Sequence, residues 1–207
     1  MTSKRNLLAD SLRQRVELLE LRFDRVKNVY FWGVRRVCWG GVTFDERSNL
    51  FSSVGIGARG ASIVIRPDRL LTLHGAMRLG EQFFFLTSIV LSDDRSRQEI
   101  RAAVCESATL TAKPQSRKGR DALNRPTALA VQEFTFPGVL TERYYRSAAD
   151  EVYRGEVQQR ALVTPKAVEL RAGDLVRQGE EAPYTVRQVL DLDPYKNEYV
   201  LERSWEA

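Results

Sequence analysis

The first 27 residues carry an apolar pattern with the period of an amphipathic helix. Between Ser3 and Lys27 the apolar positions recur every three or four residues, at Leu8, Leu12, Val16, Leu19, Phe23 and Val26. This spacing places the side chains on one helical face, and Thr2 or Ser3 is a suitable cap. The stretch from Val16 to Phe23 is also compatible with a strand, so the helix prediction rests mainly on Leu7 to Arg15.

After Lys27 the pattern changes to short runs rich in β-branched and aromatic residues, separated by Gly, Asp, Asn and Pro. Such runs, about eight to twelve residues apart, are typical of an all-β protein. The predicted strands are Val29–Phe31, Arg36–Trp39, Ala61–Arg66, Gln82–Leu91, Gln98–Glu106, Glu133–Phe136, Gln158–Thr164, Asp174–Arg177, Tyr184–Asp191 and Glu198–Arg203.

The strand pattern repeats at an offset of about one hundred residues. Each copy has a strand that ends at Pro, a turn at R-x-G-E, a long alternating strand, a polar loop and a closing strand. The aligned segments are Val64–Pro67 with Leu162–Pro165, Met77–Glu81 with Val176–Glu180, and the two loops that place Asp93 over Asp193. The shared order and spacing favour a duplication over chance similarity between two hairpins.

This organisation predicts a mainly β fold with two similar small β-barrel or sandwich units and an N-terminal α-helix. A chain of 207 residues is long enough for two small domains. The predicted segments are a helical segment at 1–27, a first β unit at 28–111, a basic linker or long loop at 112–127 and a second β unit at 128–207.

The segment 112–127 holds most of the net charge. Its five cations, faced by Asp121 alone, leave +4 of the formal +5, and they are Lys113, Arg117, Lys118, Arg120 and Arg125. A solvated loop is the first interpretation of such a charge run, and an arm that touches nucleic acid or an acidic partner is the second. These five residues are the candidate interaction loop.

The sequence offers little material for catalysis or metal binding. One histidine, His74, and two cysteines, Cys38 and Cys105, do not make a Cys/His zinc site, and we predict both thiols to be buried and free. His74 has no G-x-S-x-G nucleophile elbow nearby, which is typical of a structural histidine. We therefore predict no enzymatic activity, no catalytic residue, no cofactor and no metal, and the single histidine disfavours a hydrolase.

Two further chemical patterns have structural explanations. Gly55 to Gly60 has the form G-x-G-x-x-G, but a predicted strand rather than a helix follows it, so we interpret it as a flexible loop. The carboxylate pairs Asp93–Asp94 and Glu180–Glu181 lie in predicted turns, where water keeps them ionised.

Aromatic and basic residues alternate early in the β region. Tyr30 to Trp32 and Trp39 flank Arg35 and Arg36, a composition that suits stacking on single-stranded nucleic acid. Core aromatics beside surface arginines on one strand give the same pattern, so the sequence leaves both interpretations open.

Targeting and membrane segments are not predicted. Met1 to Asn6 is not followed by an apolar signal region, and the longest purely apolar runs, such as Phe83–Leu86, have four residues. We expect a protein that stays in a reducing compartment, or in a particle assembled there, without a membrane contact.

The β patterns resemble the head–tail connector, neck and minor capsid proteins of tailed bacteriophages. The first copy contributes I-R-P-D-R at Ile65–Arg69, then F-F-F-L-T-S-I-V-L and I-R-A-A-V, preceded by V-C-W-G-G-V at Val37–Val42. The second copy contributes the stretch from Ala172 to Val189. The resemblance covers most of Val29 to Trp205, but the chain is about twice as long as a single-barrel stopper and adds the predicted helix.

The resemblance implies a structural virion protein without catalytic residues. It implies a small β-barrel fold and a homo-oligomeric ring that closes the head, contacts a portal or adaptor protein and tail proteins, and joins the tail. The expected location is the virion, assembled in the host cytoplasm, with a contact between the basic segment and packaged DNA left open. The alternative is a nucleic-acid-binding β-barrel module, favoured by a pI of 9.4 and the basic stretch from Lys113 to Arg125.

Overall fold

The structure, a computed structural model, describes residues 12–49, 57–115, 117–120, 126–129, 132–142, 157–190 and 194–204. These residues form fourteen β-strands and no helix, which confirms the mainly β fold. The strands are β1 Gln14–Asp24, β2 Val29–Asn49, β3 Gly57–Ile65, β4 Ala76–Leu79, β5 Gln82–Leu91, β6 Gln98–Cys105, β7 Ala108–Lys113, β8 Arg117–Arg120, β9 Pro126–Leu129, β10 Phe134–Glu142, β11 Val157–Pro165, β12 Leu175–Gln178, β13 Tyr184–Leu190 and β14 Lys196–Ser204.

The chain divides into two compact units. Unit 1 comprises Met1–Arg22 and Trp32–Ser107, and unit 2 comprises Phe23–Phe31 and Ala108–Ala207. The ends of β1 and β2 that flank the turn at residues 25–28 therefore belong to unit 2, and the rest of both strands belongs to unit 1.

The predicted N-terminal helix is wrong over the residues that the structure describes. Gln14–Asp24 is strand β1, which pairs with β4 through Glu17↔Arg78, Leu18↔Met77 and Leu19↔Ala76. Val26, predicted to share one apolar helical face with Val16, is 95% exposed, whereas Val16 and Leu18 are buried with the spacing of a strand. Pairing with a distant strand outweighs a weak local helix preference. The remainder of the predicted helix, residues 1–11, lies outside the described residues.

The strands of unit 1 pair in the order β1-β4-β5-β6-β3-β2, and a further pairing joins β1 to β2. The order of hydrogen-bonded neighbours therefore returns to the strand on which it began. Alternate residues of these strands fill one core, which contains Val16, Leu18, Ala61, Ile63, Ile65, Met77, Phe84, Leu86, Ile100 and Ala102.

Unit 2 repeats this strand order with its own strands. Its order is β7-β12-β13-β14-β11-β10, and a further pairing joins β10 to β7. When β7 is matched to β1, β10 to β2, and β11–β14 to β3–β6, the two circular orders coincide. The largest fully buried side chains of this unit include Leu110, Phe136, Leu162, Tyr184 and Tyr199.

Irregularities of the backbone recur at matched positions. The turns between β4 and β5 and between β12 and β13 hold Gly80 (φ 59°) and Gly179 (φ 55°), a left-handed conformation that favours glycine. The register shifts between Leu86 and Ser88 on β5 and between Val186 and Gln188 on β13. A bulge bends a strand locally, so the two long hairpins bend at the same place.

Two glycines allow the strands to approach closely at matched positions of β2 and β10. A Cβ atom on Gly40 would lie 3.1 Å from side-chain atoms of both Val16 and Ile65. A Cβ atom on Gly138 would lie 3.0 Å from side-chain atoms of both Leu110 and Leu162. In each unit the crowding side chains come from the corresponding pair of strands.

The loop that follows β3 and the loop that follows β11 are each anchored by an amide side chain near the start of the closing strand, β6 or β14. In unit 1, the amide N–H of Asp68 donates to Oε1 of Gln98 at 3.0 Å. In unit 2, Nδ2 of Asn197 donates to the carbonyl oxygens of Lys166 at 3.0 Å and Val168 at 2.9 Å. The two loops thus have related anchors although their sequences differ.

Most predicted strands are present, several with longer bounds. The predicted strand Gln82–Leu91 has the bounds of β5, whereas Val29–Phe31 and Arg36–Trp39 are parts of the single strand β2. Within the predicted linker or long loop at 112–127, eight of the ten residues that the structure describes lie in strands. Its first residues complete β7, and β8 pairs with β9 from Arg117↔Leu129 to Arg120↔Pro126.

Candidate functional site

The structure describes only part of the predicted candidate interaction loop. Lys113 ends β7 with its side chain 67% exposed, and its Nζ lies 3.8 Å from Oε1 of Glu133. The same carboxylate faces Arg177 at 3.9 Å, so these contacts are surface ion pairs. Arg117, Lys118 and Arg120 lie on the paired strand β8, and Arg125 lies outside the described residues.

A basic cleft lies in unit 1, where the segments around β1, β2 and the end of β3 come together. It has a volume of about 570 Å³. The cleft is lined by Leu12, Arg13, Arg36, Val37, Cys38, Trp39, Arg66, Pro67 and Asp68. Three guanidinium groups and one carboxylate give its lining a formal charge of +2.

The carboxylate of this basic cleft is occupied by local contacts. The Asp68 side chain is only 6% exposed, its Oδ2 lies 3.0 Å from Nη1 of Arg36, and its Oδ1 accepts the amide N–H of Leu70 at 2.9 Å. Arg36 remains 61% exposed despite this ion pair. Asp68 therefore fixes one side of Arg36 while the rest of the guanidinium faces solvent.

Cys38 is the one thiol of the basic cleft. Burial raises the pKa of the Cys38 thiol above its ordinary value of 9.0, the Asp68 carboxylate raises it further, and Arg36 opposes both effects. The thiol is therefore protonated near neutral pH, and a protonated thiol is a poor nucleophile and metal ligand. Neither Cys38 nor Cys105 forms a disulfide with a described residue, and both are half-buried.

The aromatic residues between Tyr30 and Trp39 divide into packed and exposed groups. Tyr30 packs on Phe23 and Phe134 in unit 2, with ring centroids 4.4 and 6.1 Å away. Trp32 packs on Phe83 and Phe85 in unit 1. Trp39 is 58% exposed and lines the basic cleft, so it has the surface that a stacking interaction needs.

The remaining sequence candidates lie in turns and strands. His74 is exposed in the turn before β4, and the described part of the glycine-rich segment, Gly57 to Gly60, belongs to β3 rather than to a loop. The Asp94 carboxylate accepts hydrogen bonds from Oγ of Ser92 and from the amide and Oγ of Ser96. These bonds hold the pKa of Asp94 at about 2, the opposite of what a general acid requires.

The long hairpins of both units carry exposed apolar residues near their loops. Val90 is 56% exposed and Leu91 is 46% exposed on β5, and Val189 is 43% exposed on β13. Val90 lies near the end of the β5–β6 hairpin, and Val189 lies near the end of the matching β13–β14 hairpin. Each unit therefore has an exposed apolar side chain near the end of a hairpin.

Two kinds of site do not occur among the described residues. These residues contain no group of three or more His, Cys, Asp or Glu side chains placed to hold a metal ion. They also contain no helix that is long and apolar enough to span a membrane.

Sequence reasoning did not find the basic cleft, because its residues come from three separate parts of the chain. In the sequence, Arg36 and Trp39 belong to an aromatic and basic segment, and Ile65–Arg69 belongs to the connector-like pattern. The signal that joins them is the pairing of Gly40 with Ile65, which brings the two segments side by side.

No protein-family model and no curated protein matches the chain. Among solved structures, a chain of the virion of a native gene transfer agent particle is similar, with 16% identity and a TM-score of 0.37 over 46% of this chain and 96% of that chain. A chain of the K. pneumonia MrkH–c-di-GMP complex is similar with 10% identity and a TM-score of 0.15, over 99% of this chain and 87% of that chain. At these TM-scores neither similarity carries an argument about fold or function.

Proposed function

We propose that the protein is a structural virion protein of the head–tail interface, a neck or connector subunit whose ring closes the head and receives the tail. The single observation that carries the proposal is the circular order of six hydrogen-bonded strands, present twice. We interpret each circular order as a small β-barrel, which agrees with the barrel that the sequence resemblance implies. A duplicated barrel also accounts for a chain about twice the length of a single-barrel stopper.

The proposed barrels suit the subunits of a ring. A closed strand order leaves no free sheet edge, so contacts between subunits fall to side chains and projecting hairpins. The two β-hairpins, β5–β6 and β13–β14, carry exposed Val90, Leu91 and Val189. In a cyclic assembly the same surface patch meets its neighbour in every subunit, so a small apolar contact is repeated around the ring.

The proposal includes partners and a location. The ring is homo-oligomeric, its neighbours are a portal or adaptor protein and tail proteins, and it resides in a virion assembled in the host cytoplasm. The protein acts by position and not by catalysis.

Native mass spectrometry of the purified full chain, alone and with the portal protein of the proposed particle, tests the proposal. We expect a ring of identical subunits in at least one of the two samples. Replacing Leu91 with Glu places a charge in the proposed contact and is expected to shift the ring toward monomers. Val26→Glu makes the same chemical change at a side chain that is 95% exposed in a turn, and it serves as the matched control.

A monomer in both samples would contradict the proposal. Equal loss of the ring in Leu91→Glu and Val26→Glu would contradict the assignment of the contact to the β5–β6 hairpin. Circular dichroism of both variants distinguishes loss of assembly from loss of folding.

A further inference from the structure

We propose that the basic cleft of unit 1 binds single-stranded nucleic acid, with a base stacked on Trp39 and phosphates paired with Arg36 and Arg66. This ligand class is independent of the proposed ring function. It rests on four properties of the cleft: its charge, its exposed indole, its size and the position of Asp68.

The charge of the cleft selects an anion. Among the described residues that line it, Arg13, Arg36 and Arg66 are cationic and Asp68 carries the one carboxylate. That carboxylate is buried and bonded to Arg36 and to the backbone of Leu70, so it cannot turn toward a ligand without breaking both contacts. Arginine donates several N–H groups in a planar fork that fits phosphate oxygens.

The exposed indole of Trp39 favours a ligand with a planar aromatic group, which a simple anion lacks. The Trp39 side chain is 58% exposed on strand β2, so a large apolar face of its indole lies in water. Stacking of a nucleobase on an aromatic ring contributes about 1–3 kcal/mol per base. A ligand that carries both a flat base and a phosphate therefore uses the indole and the guanidinium groups together.

Asp68 holds Arg36 in place for the ligand. Its ion pair with Arg36 restricts a long side chain that otherwise loses rotamer freedom on binding. The pair is unequal in exposure, at 61% for Arg36 and 6% for Asp68, so the guanidinium and not the carboxylate meets the solvent. We therefore assign Asp68 as a positioning residue.

The size of the cleft favours single-stranded nucleic acid over a duplex. A volume of about 570 Å³ lies within the roughly 300–1,000 Å³ of small-molecule sites and suits one or two nucleotides. The bases of a duplex are stacked on one another and do not offer a face to an indole. Single strands offer that face at every base.

An acidic peptide is the competing ligand, because its carboxylates also pair with Arg36 and Arg66. It leaves the indole of Trp39 without a planar partner. The two ligands are therefore separated by the dependence of binding on Trp39 rather than by the dependence on charge.

The test is fluorescence anisotropy of the full chain with a labelled oligothymidine of about ten nucleotides, a length within the range that one small barrel covers. Trp39→Ala is expected to weaken binding by about 5-fold to 150-fold, the loss of one stacked base, while Trp39→Phe retains most of the affinity. Arg66→Ala is expected to weaken binding and to reduce the slope of log K against log salt by about 0.7, as loss of one phosphate contact requires.

A matched control removes the same charge elsewhere. Arg171 is an exposed residue in a turn of unit 2, and Arg171→Ala is expected to leave the affinity close to that of the unchanged protein. Because Trp39, Arg66 and Arg171 are all exposed, these variants are expected to keep the fold, and near-UV circular dichroism checks this.

A second readout follows the cleft directly. In a Cys105→Ser background the only thiol is Cys38, and the oligonucleotide is expected to slow its alkylation by covering the cleft. Unchanged affinity of Trp39→Ala, equal loss in Arg66→Ala and Arg171→Ala, or displacement of the oligonucleotide by an oligoglutamate peptide at equal concentration would each overturn the proposal. So would an unchanged rate of Cys38 alkylation at saturating oligonucleotide.

Discussion

At the scale of single residues, short polar side chains stabilise the loops that connect the strands. Asp94 shows this most clearly, since its carboxylate accepts hydrogen bonds from Ser92 and Ser96 within one six-residue loop. The sequence placed Asp93 and Asp94 in a turn and predicted no raised pKa. The structure agrees for Asp94 and adds that the hydrogen bonds lower its pKa, which residue type alone does not reveal.

The titration of Asp94 is a direct prediction at this scale. Its pKa is lowered from 3.8 to about 2, first by the Ser92 hydroxyl and then by the amide and hydroxyl of Ser96. A lowered folded-state pKa means that the loop is favoured above the ordinary pKa and loses that contribution as pH falls through about 2. Carboxyl-detected NMR is expected to give a midpoint near 2, and Ser92→Ala is expected to move it toward 3.8. A midpoint near 3.8 in the unchanged protein would contradict the loop geometry.

At the scale of elements, the strands are set by pairing partners as much as by local pattern. The long alternating strand β5 was predicted with its observed bounds because its own residues carry the pattern. Strand β1 was predicted as a helix because its apolar spacing fits both structures, and only its pairing with β4 resolves the choice. A prediction from local sequence cannot contain that information.

The matched glycines Gly40 and Gly138 provide a prediction about close strand approach. Alanine at either position places a Cβ atom 3.0–3.1 Å from two core side chains. Overpacking of this kind costs about 1–3 kcal/mol, and reduced freedom of the unfolded chain offsets part of it, so we expect a loss of about 1–2 kcal/mol for Gly40→Ala and for Gly138→Ala. Urea unfolding measures both values.

A double variant separates crowding from other effects. Val16→Ala shortens a side chain that Gly40→Ala would meet, so the free-energy losses of the two changes are expected to be less than additive. A free energy of unfolding that is unchanged or higher in Gly138→Ala would contradict the close approach of β10 to its neighbours.

At the scale of the whole molecule, the shared circular strand order explains several sequence features together. The turn at R-x-G-E requires Gly80 and Gly179 in left-handed conformations, and the bulges on β5 and β13 occur at the same place in each hairpin. The R-x-G-E part of the repeat is visible in the sequence because the left-handed conformation of Gly80 and Gly179 limits residue choice. The glycines of β2 and β10 were not recognised as a match, since their role depends on side chains from other strands.

The two candidate sites, the basic segment and the basic cleft, differ in whether the fold is needed to bring their residues together. The basic segment from Lys113 to Arg125 is contiguous and visible in the sequence, whereas the basic cleft is assembled from three segments and is not. Counting charges along the sequence therefore identifies the basic segment but does not reveal the basic cleft. The pairing of β2 with β3 is the piece of information that the sequence lacks.

The location of the protein in a particle is the most direct test of the proposed function. Electron cryo-microscopy of particles purified from cells that carry the gene, combined with mass spectrometry of the same preparation, locates the chain. We predict a ring of copies at the vertex that joins head and tail, each copy fitted by two six-stranded barrels. Particles that are complete and infectious without the chain, or density for it at no position on the particle, would contradict the proposal.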